Sequence, residues 1–469
     1  MGPTAGPCRP ATGAPANGSA AVWNGIVAGR PPRVLPGLLL RLLLGALLAA
    51  LPAGCGDLQR RDTVGTTPRF SAPLADGDYL YCISNVGHTL LAYDLAQRQV
   101  VPGSARYLDL DPVGPWFAGA AGYYLSRVDS SGAGANALIR FDPRSGAEQA
   151  RLKFPPNSNP NSLLLLPPPH AGLAWVALRG STFDNFATDG LSVVDVATLR
   201  DTAFCDLNAD TATCPRLVPD TGSALASPLG FLWDAACPAN GGAGCAYAVV
   251  NNFDGGGVRD GRLLVLAPDP TTGVPTLLDS VPLGRNPLQD VVLDATGLLW
   301  VVNNGGYVHF DASGQAGTLQ ALDTQAFASG APGDGTVATL PLIDPVTPEA
   351  DCAATPQPRP DPGCDPTGIY SLDGLAAWVT TYPDDVLRTV NLAARTLAPL
   401  DASLPRVTGP FFPVTGDPLS AGGPALFAAL GGLGQARLGE LSAAGTALLR
   451  DQSLLAGAAP LSCAAHSLP

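Results

Sequence analysis

Four residues of this 469-residue chain carry chemistry suited to holding a ligand: Asn159, Arg285, Asn286 and Asp365. Arg285 offers a planar fork of donors that meets a carboxylate or a phosphate. The two asparagines donate and accept, and the Asp365 carboxylate accepts. Each stands at the entry to an apolar run that begins at Pro160, Pro287 or Pro366. Catalytic groupings are missing. His88, His170, His309 and His466 share no short motif. There is no Gly-x-Ser-x-Gly elbow to expose a nucleophile. Neither His-Glu-x-x-His nor a phosphate-cradling glycine loop before a helix occurs. The Asp254-Gly and Asp334-Gly turns lack the alternating acids of a calcium loop. Asn251-Asn252 and Asn303-Asn304 close two apolar runs and read as turn residues at positive φ. The expectation is no catalytic residue, no metal and no cofactor.

Those residues need elements to position them. The clearest stretch is Leu298-Leu-Trp-Val-Val302, a strand of β-branched and aromatic residues after the turn Asp294-Ala-Thr-Gly297. Relatives of it begin at Tyr79, Tyr123, Leu173, Cys245, Ala376 and Ala425. Their third positions are Tyr81, Leu125, Trp175, Tyr247, Trp300, Trp378 and Phe427, so six of seven are aromatic. One strand position therefore faces a packed interior in every copy, where a flat ring fills the gap between stacked sheets. Runs from Pro160, Pro228, Pro287 and Pro366 precede this strand. Runs closing in Asp or Asn follow it: Leu90–Asp94, Leu138–Asp142, Leu191–Asp195, Tyr307–Asp311 and Leu387–Asn391. The closing side chain bonds the turn after it. A fourth run then follows, as in Glu148–Phe154 or Leu277–Val281. Four strands per unit and seven units spaced by 44–78 residues predict an all-β fold. It is a seven-bladed β-propeller of four-stranded antiparallel blades.

The units resemble the YVTN/NHL type of propeller repeat, most closely in Asn286-Pro287, Asp294-Ala-Thr-Gly-Leu-Leu-Trp300 and Asn303-Asn304. The resemblance covers most of residues 75–466. It implies the fold and leaves the role open, because such propellers serve many functions. Ala459-Pro-Leu-Ser-Cys463 matches a first strand, as at Asn286-Pro-Leu-Gln-Asp290, but no second strand follows it. The first unit lacks a good first strand. The C-terminal strand is therefore expected to complete blade one and to set Cys463 beside Cys82. A disulfide there would lock the ring, worth at most about 5–6 kcal/mol on chain-entropy arithmetic. Uneven spacing places insertions at 181–189, 203–227, 253–260 and 330–365, which enlarge one face. Cys205–Cys214 and Cys352–Cys364 would brace two of these loops. Cys237–Cys245 would clip a turn on the opposite face.

Residues 1–54 read as a leader. Arg30 and Arg33 precede the apolar Leu42–Leu51, which is too short to span a bilayer as a helix. Residues 1–26 do not look like a signal, and Val27 or Val34 fits as the initiator. Leu51-Pro-Ala-Gly-Cys55 resembles a bacterial lipoprotein signal, with Pro52 where such signals usually carry Leu. That resemblance implies lipid attachment at Cys55, a linker over 55–74 and a propeller over 75–469. It also implies export to the cell envelope, at the outer membrane, facing the periplasm or the cell surface. Eight cysteines remain after Cys55, an even number that fits disulfides in an exported chain. Four Arg and no acid lie in 1–54, so the formal charge of −13 becomes −17 for the remainder. Such acidity excludes nucleic acid, whose phosphates need clustered Lys and Arg. The reading is a monomeric, envelope-anchored scaffold that binds a protein or a small molecule. The alternative is a metal-assisted lactonase- or lyase-like propeller enzyme with its site at the channel mouth.

Overall fold

The computed structural model describes residues 70–84, 87–109, 111–128, 134–179, 189–218, 225–254, 257–305, 317–327, 335–342, 366–381, 386–399, 401, 403–405, 407, 411–414, 425–430, 436–442, 448–455 and 460–469. They belong to one compact unit, Thr67–Pro469. Cys55, His309, Cys352, Cys364 and Asp365 lie outside the described residues.

Seven antiparallel sheets follow one another along the chain. From the innermost strand outward, blade two is Pro112–Ala118, Ala121–Val128, Gly134–Phe141 and Glu148–Lys153. Blade three is Pro160–Leu165, Leu173–Leu178, Gly190–Asp195 and Arg200–Asp206. Blade four is Leu225–Asp234, Cys245–Asp254, Gly257–Pro268 and Pro275–Arg285. Blade five is Pro287–Leu293, Leu298–Asn303, Thr318–Asp323 and Thr336–Pro341. Blade six is Pro366–Tyr370, Ala376–Thr381, Leu387–Asn391 and Thr396–Leu397. Blade seven is Phe411–Val414, Ala425–Leu430, Ala436–Leu441 and Leu448–Leu455. Blade one joins both ends of the ring. Its innermost strand is Pro460–Leu468, followed by Gly77–Ser84, Thr89–Asp94 and Gln99–Val100, with Arg106–Tyr107 also on Thr89–Asp94. Cys82 pairs with Cys463 in this register, and the two form a disulfide. Further disulfides join Cys205–Cys214 and Cys237–Cys245.

The seven third-position side chains are all buried, and each packs on the blade that follows. Tyr81 packs on blade two, Leu125 on three, Trp175 on four and Tyr247 on five. Trp300 packs on six, Trp378 on seven and Phe427 on blade one. A buried ring with a polar tip needs a partner for it. Tyr81 and Trp175 donate to the next blade, at Pro143 O (3.1 Å) and Gly273 O (2.8 Å). Tyr247 and Trp300 instead donate to carboxylates in their own first turn, Asp234 (3.0 Å) and Asp294 (2.8 Å). Blade two lacks the ring at Leu125, and Tyr123 two residues earlier replaces it by donating to Val196 O of blade three at 3.3 Å.

Four expectations change. The third strand of blade five is Thr318–Asp323, paired with Leu298–Asn303, and not Tyr307–Asp311, which lies outside the described residues. Asp323 closes it as Asp94, Asp195 and Asp269 close or follow theirs, by accepting backbone N–H groups of the next turn. Both runs carry the closing Asp, and it is the farther one that pairs with Leu298–Asn303. Residues 253–260 are not simply a loop insertion. Cys245–Asp254 and Gly257–Pro268 run on through most of it as a long hairpin. Within 330–365, Thr336–Pro341 is blade five's outer strand. The end of the expected linker is packed too: Phe70 and Leu74 are buried against blades one and two, bonded to Ser145 O and Arg144 O.

Candidate functional site at the channel mouth

Every first strand starts at the same face, where the turns after second strands and the connections between blades also emerge. Among the described residues, Pro heads a first strand or lies near its start at Pro112, Pro160, Pro228, Pro287, Pro366 and Pro460. These strands edge the channel, so the missing N–H costs no ladder bond there. Asp111, Asn159 and Asn286 each precede such a proline, at φ of 47°, 45° and 52°. Asx residues tolerate that left-handed geometry better than other side chains. Asn159 and Asn286 are thus first of all hinges that turn the chain into the channel wall.

Around them the mouth is knitted by amides. Asn251 Nδ2 donates to Asn286 Oδ1 at 2.9 Å. Asn286 Nδ2 donates to Asn304 Oδ1 at 3.2 Å, and Asn304 Nδ2 to Pro366 O at 2.8 Å. One relay therefore ties blades four, five and six together. Asn303 bonds Thr318 and Gln320. Asn251, Asn303 and Asn304 are buried, and none has a positive φ, so the turn reading of these residues does not hold. They are there for their side-chain bonds between strands and blades. Arg285 is half-buried at the end of blade four's outer strand, and its carbonyl accepts from Gly305 N at 3.1 Å. The structure thus brings Arg285 and Asn286 together and leaves Asn159 two blades away, where Asn136 Oδ1 holds its N–H at 2.9 Å.

A second polar network at the mouth involves none of the four expected residues. Arg127 forms an ion pair with Asp111 (2.7 Å) and donates to Asn161 Oδ1 (2.8 Å). Asn161 Nδ2 donates to Leu229 O (2.7 Å) and reaches Gln289 Oε1 (3.4 Å). This arc runs over blades two, three, four and five. Beside it Asp290 is half-buried, and burial pushes its carboxyl up to about 7. Asp189, at the mouth end of blade three, is fully buried, and burial pushes it to about 9 against the pull of Arg179. His88 lies in a turn at this face, where its Nδ1 accepts from Asp111 N at 3.2 Å. His466 is at the other end of the channel, stacked on Phe117 with ring centroids 4.4 Å apart. Among the described residues no three His, Cys, Asp or Glu side chains gather as metal ligands. One signal was available in the sequence: Asp111-Pro112 repeats the pattern of Asn159-Pro160 and Asn286-Pro287.

No protein-family model and no curated protein matches the sequence. Solved structures do match the fold. A candidate 6-phosphogluconolactonase from Bacteroides uniformis superposes with a TM-score of 0.50 at 15% identity, over 84% of this chain and 100% of its own. A Lactobacillus plantarum protein gives 0.50 at 12% identity, over 84% and 100%. A dihydro-heme d1 dehydrogenase gives 0.45 at 13% identity, and this chain covers 84% of itself and 66% of that one. At such identities the likeness establishes the propeller and nothing of the chemistry. The three disulfides fit an exported protein. No helix among the described residues is long and apolar enough to cross a membrane.

Proposed function

We propose that this is an exported propeller of YVTN/NHL-like repeats, held at the cell envelope by lipid on Cys55, that binds a protein or small-molecule ligand at its mouth. The observation that carries the reading is the arc from Asp111 through Arg127 and Asn161 to Gln289. Its polar side chains come from several blades and hold one another in place near the entries of the first strands. Such preorganisation suits recognition, because little side-chain freedom is lost on binding. The ring around it is disulfide-locked, and rigid scaffolds with polar loops are where binding sites are usually built. The lipobox-like Leu51–Cys55 supports the anchor, and the acidic composition disfavours nucleic acid.

Two experiments test it. Metabolic labelling with a fatty-acid probe is expected to mark the wild type and not Cys55→Ser, and equal labelling would reject the anchor. A thermal-shift screen of envelope metabolites, with cross-linking in intact cells, is expected to find binding that Arg127→Ala abolishes. Binding that ignores Arg127 would remove the mouth as the site. Turnover of a lactone panel that depends on added calcium would move the protein to the enzyme alternative.

A further inference from the structure

The first strands of blades one, three, four and six share one irregularity. Between the entry proline and the next regular pair, two residues face one on the second strand. In blade three, Pro160 pairs with Leu178 and Leu163 with Val176, leaving Asn161 and Ser162 between. Blade four leaves Leu229 and Gly230, blade six Thr367 and Gly368, and blade one Leu461 and Ser462. The second residue of each pair is Ser or Gly. Blade five departs from this rule. Pro287 pairs with Asn303 and Val291 with Val301, so three residues lie between: Leu288, Gln289 and Asp290. One residue has been added to the bulge, and Gln289 and Asp290 stand where the other four bulges end in Ser or Gly.

The neighbouring blades make room for both. A Cβ on Gly230 would lie 2.7 Å from Gln289 Cβ and 2.9 Å from Gln289 O. A Cβ on Gly368 would lie 2.6 Å from Asp290 Oδ2 and 3.3 Å from Thr380 Oγ1. Extra residues in bulges re-aim side chains and recur beside active sites. A local rule broken in one repeat, with compensation on both sides, marks function more often than packing. We propose that Asp290 forms a recognition site for the ammonium group of an amine ligand, set in blade five's wall where it faces blade six, with the neighbouring Gln289 turned to blades three and four. This rests on the reading of the mouth as a binding surface.

The chemistry around Asp290 selects the cation. Oδ2 faces Gly368, which has no side-chain donor. Its shift comes from burial alone, so the described charged groups on the strands packed against it and next to it, Asp234, Asp260, Arg262 and Arg285, do not compensate its charge. The polar group beside it on blade six, the Thr380 hydroxyl, is already hydrogen-bonded to Thr367. An ammonium group carries three donors and no acceptor, and its charge completes the carboxylate. A neutral hydroxyl would leave that charge unpaired, and an anion would be repelled.

The sign of the stability effect separates this role from a structural one. The folded protein keeps the Asp290 proton up to a higher pH than the unfolded chain does. Stability is therefore lost as pH rises from about 4 towards 7. Retaining the carboxyl costs the fold, so Asp290→Asn is expected to raise the melting temperature at pH 8 and leave it unchanged at pH 4.

Calorimetry with 1,4-diaminobutane and ethanolamine, and with ethylene glycol and acetate as controls, tests the proposal on the wild type, Asp290→Asn and Gly368→Ala. Amine affinity is expected to fall about tenfold per pH unit below 7. Asp290→Asn should weaken it at least tenfold at pH 8 and abolish the pH slope, and Gly368→Ala should weaken it by displacing the carboxyl. Equal amine binding by wild type and Asp290→Asn, or binding of glycol in preference to amine, overturns the proposal. A wild type that binds no amine but still gives mouth-dependent cross-links overturns this proposal alone. A wild type that does neither overturns the mouth reading as well.

Discussion

Asp294 serves four donors at once: Trp300 Nε1 at 2.8 Å, Thr296 N and Oγ1 at 2.7 Å, and Leu298 N at 3.0 Å. Burial alone would raise its carboxyl, but these bonds outweigh burial and hold it below the usual range. A depressed folded value means stability that is present above the unfolded pKa of about 4 and lost as pH falls through the folded one. Asp294→Asn keeps the shape but turns one acceptor oxygen into a donor facing other donors. It is expected to cost about 1.5–3 kcal/mol at pH 7. The cost should shrink as pH falls through the depressed folded value, where the wild type protonates too; urea unfolding at a series of acid pH values checks this. At this scale the sequence was half legible. Trp300 as a packing residue followed from its recurrence, and the turn at Asp294 from its composition. The bond between them could not be read, because it depends on how tightly the turn closes. The sequence does not single out Gln289 and Asp290, because their meaning lies in a register shift, which no single strand displays.

The junction between blades seven and one is the element on which ring closure turns. Besides the Cys82–Cys463 disulfide, Arg98 reaches Glu440 of blade seven at 3.3 Å and lies 5.6 Å from the centre of the Phe427 ring. Tyr93 meets the same ring edge-on. Replacing both cysteines by serine is expected to cost about 2–5 kcal/mol in guanidinium unfolding, and reduction of the wild type, which also opens Cys205–Cys214 and Cys237–Cys245, should cost at least as much. A smaller loss would mean that the Arg98 and Phe427 contacts close the ring unaided. This pairing was legible because the C-terminal run repeats the first-strand pattern and the first unit lacked one. Blade five's third strand was not, since two runs ended in Asp and connection length is not encoded by propensity. The long hairpin of blade four was hidden by its glycines, which read as a loop although both strands continue through them.

At the scale of the whole molecule, charge and buried acids act in one direction. Asp189 and Asp290 are both raised by burial, to about 9 and about 7. Each costs stability as pH climbs from about 4 through its folded value. The chain is also strongly acidic, and its self-repulsion grows over the same range. The depressed carboxylates, Asp294 among them, remove stability only on the acid side. The melting temperature is therefore expected to peak near pH 4–5 and to decline by pH 9, as scanning calorimetry across buffers would show. A maximum at pH 7–8 would contradict the burial of these two carboxyls. Composition made the acidity plain, but the placement of the acids needed the structure.

The packing of the two ends has a topological consequence. Phe70 rests on Ser145 and Gly146 of blade two, and Arg144 in the same turn donates to the carbonyl of Pro469. Entry and exit therefore share one small patch of one blade, so the ring has no intrinsic beginning. A short glycine-rich bridge from 469 to 70, with the chain reopened at the exposed Gly119-Ala120 turn, should yield a circular permutant that folds. Near-wild-type cooperativity in its melt would show that the order of the blades along the gene is incidental to their order in space.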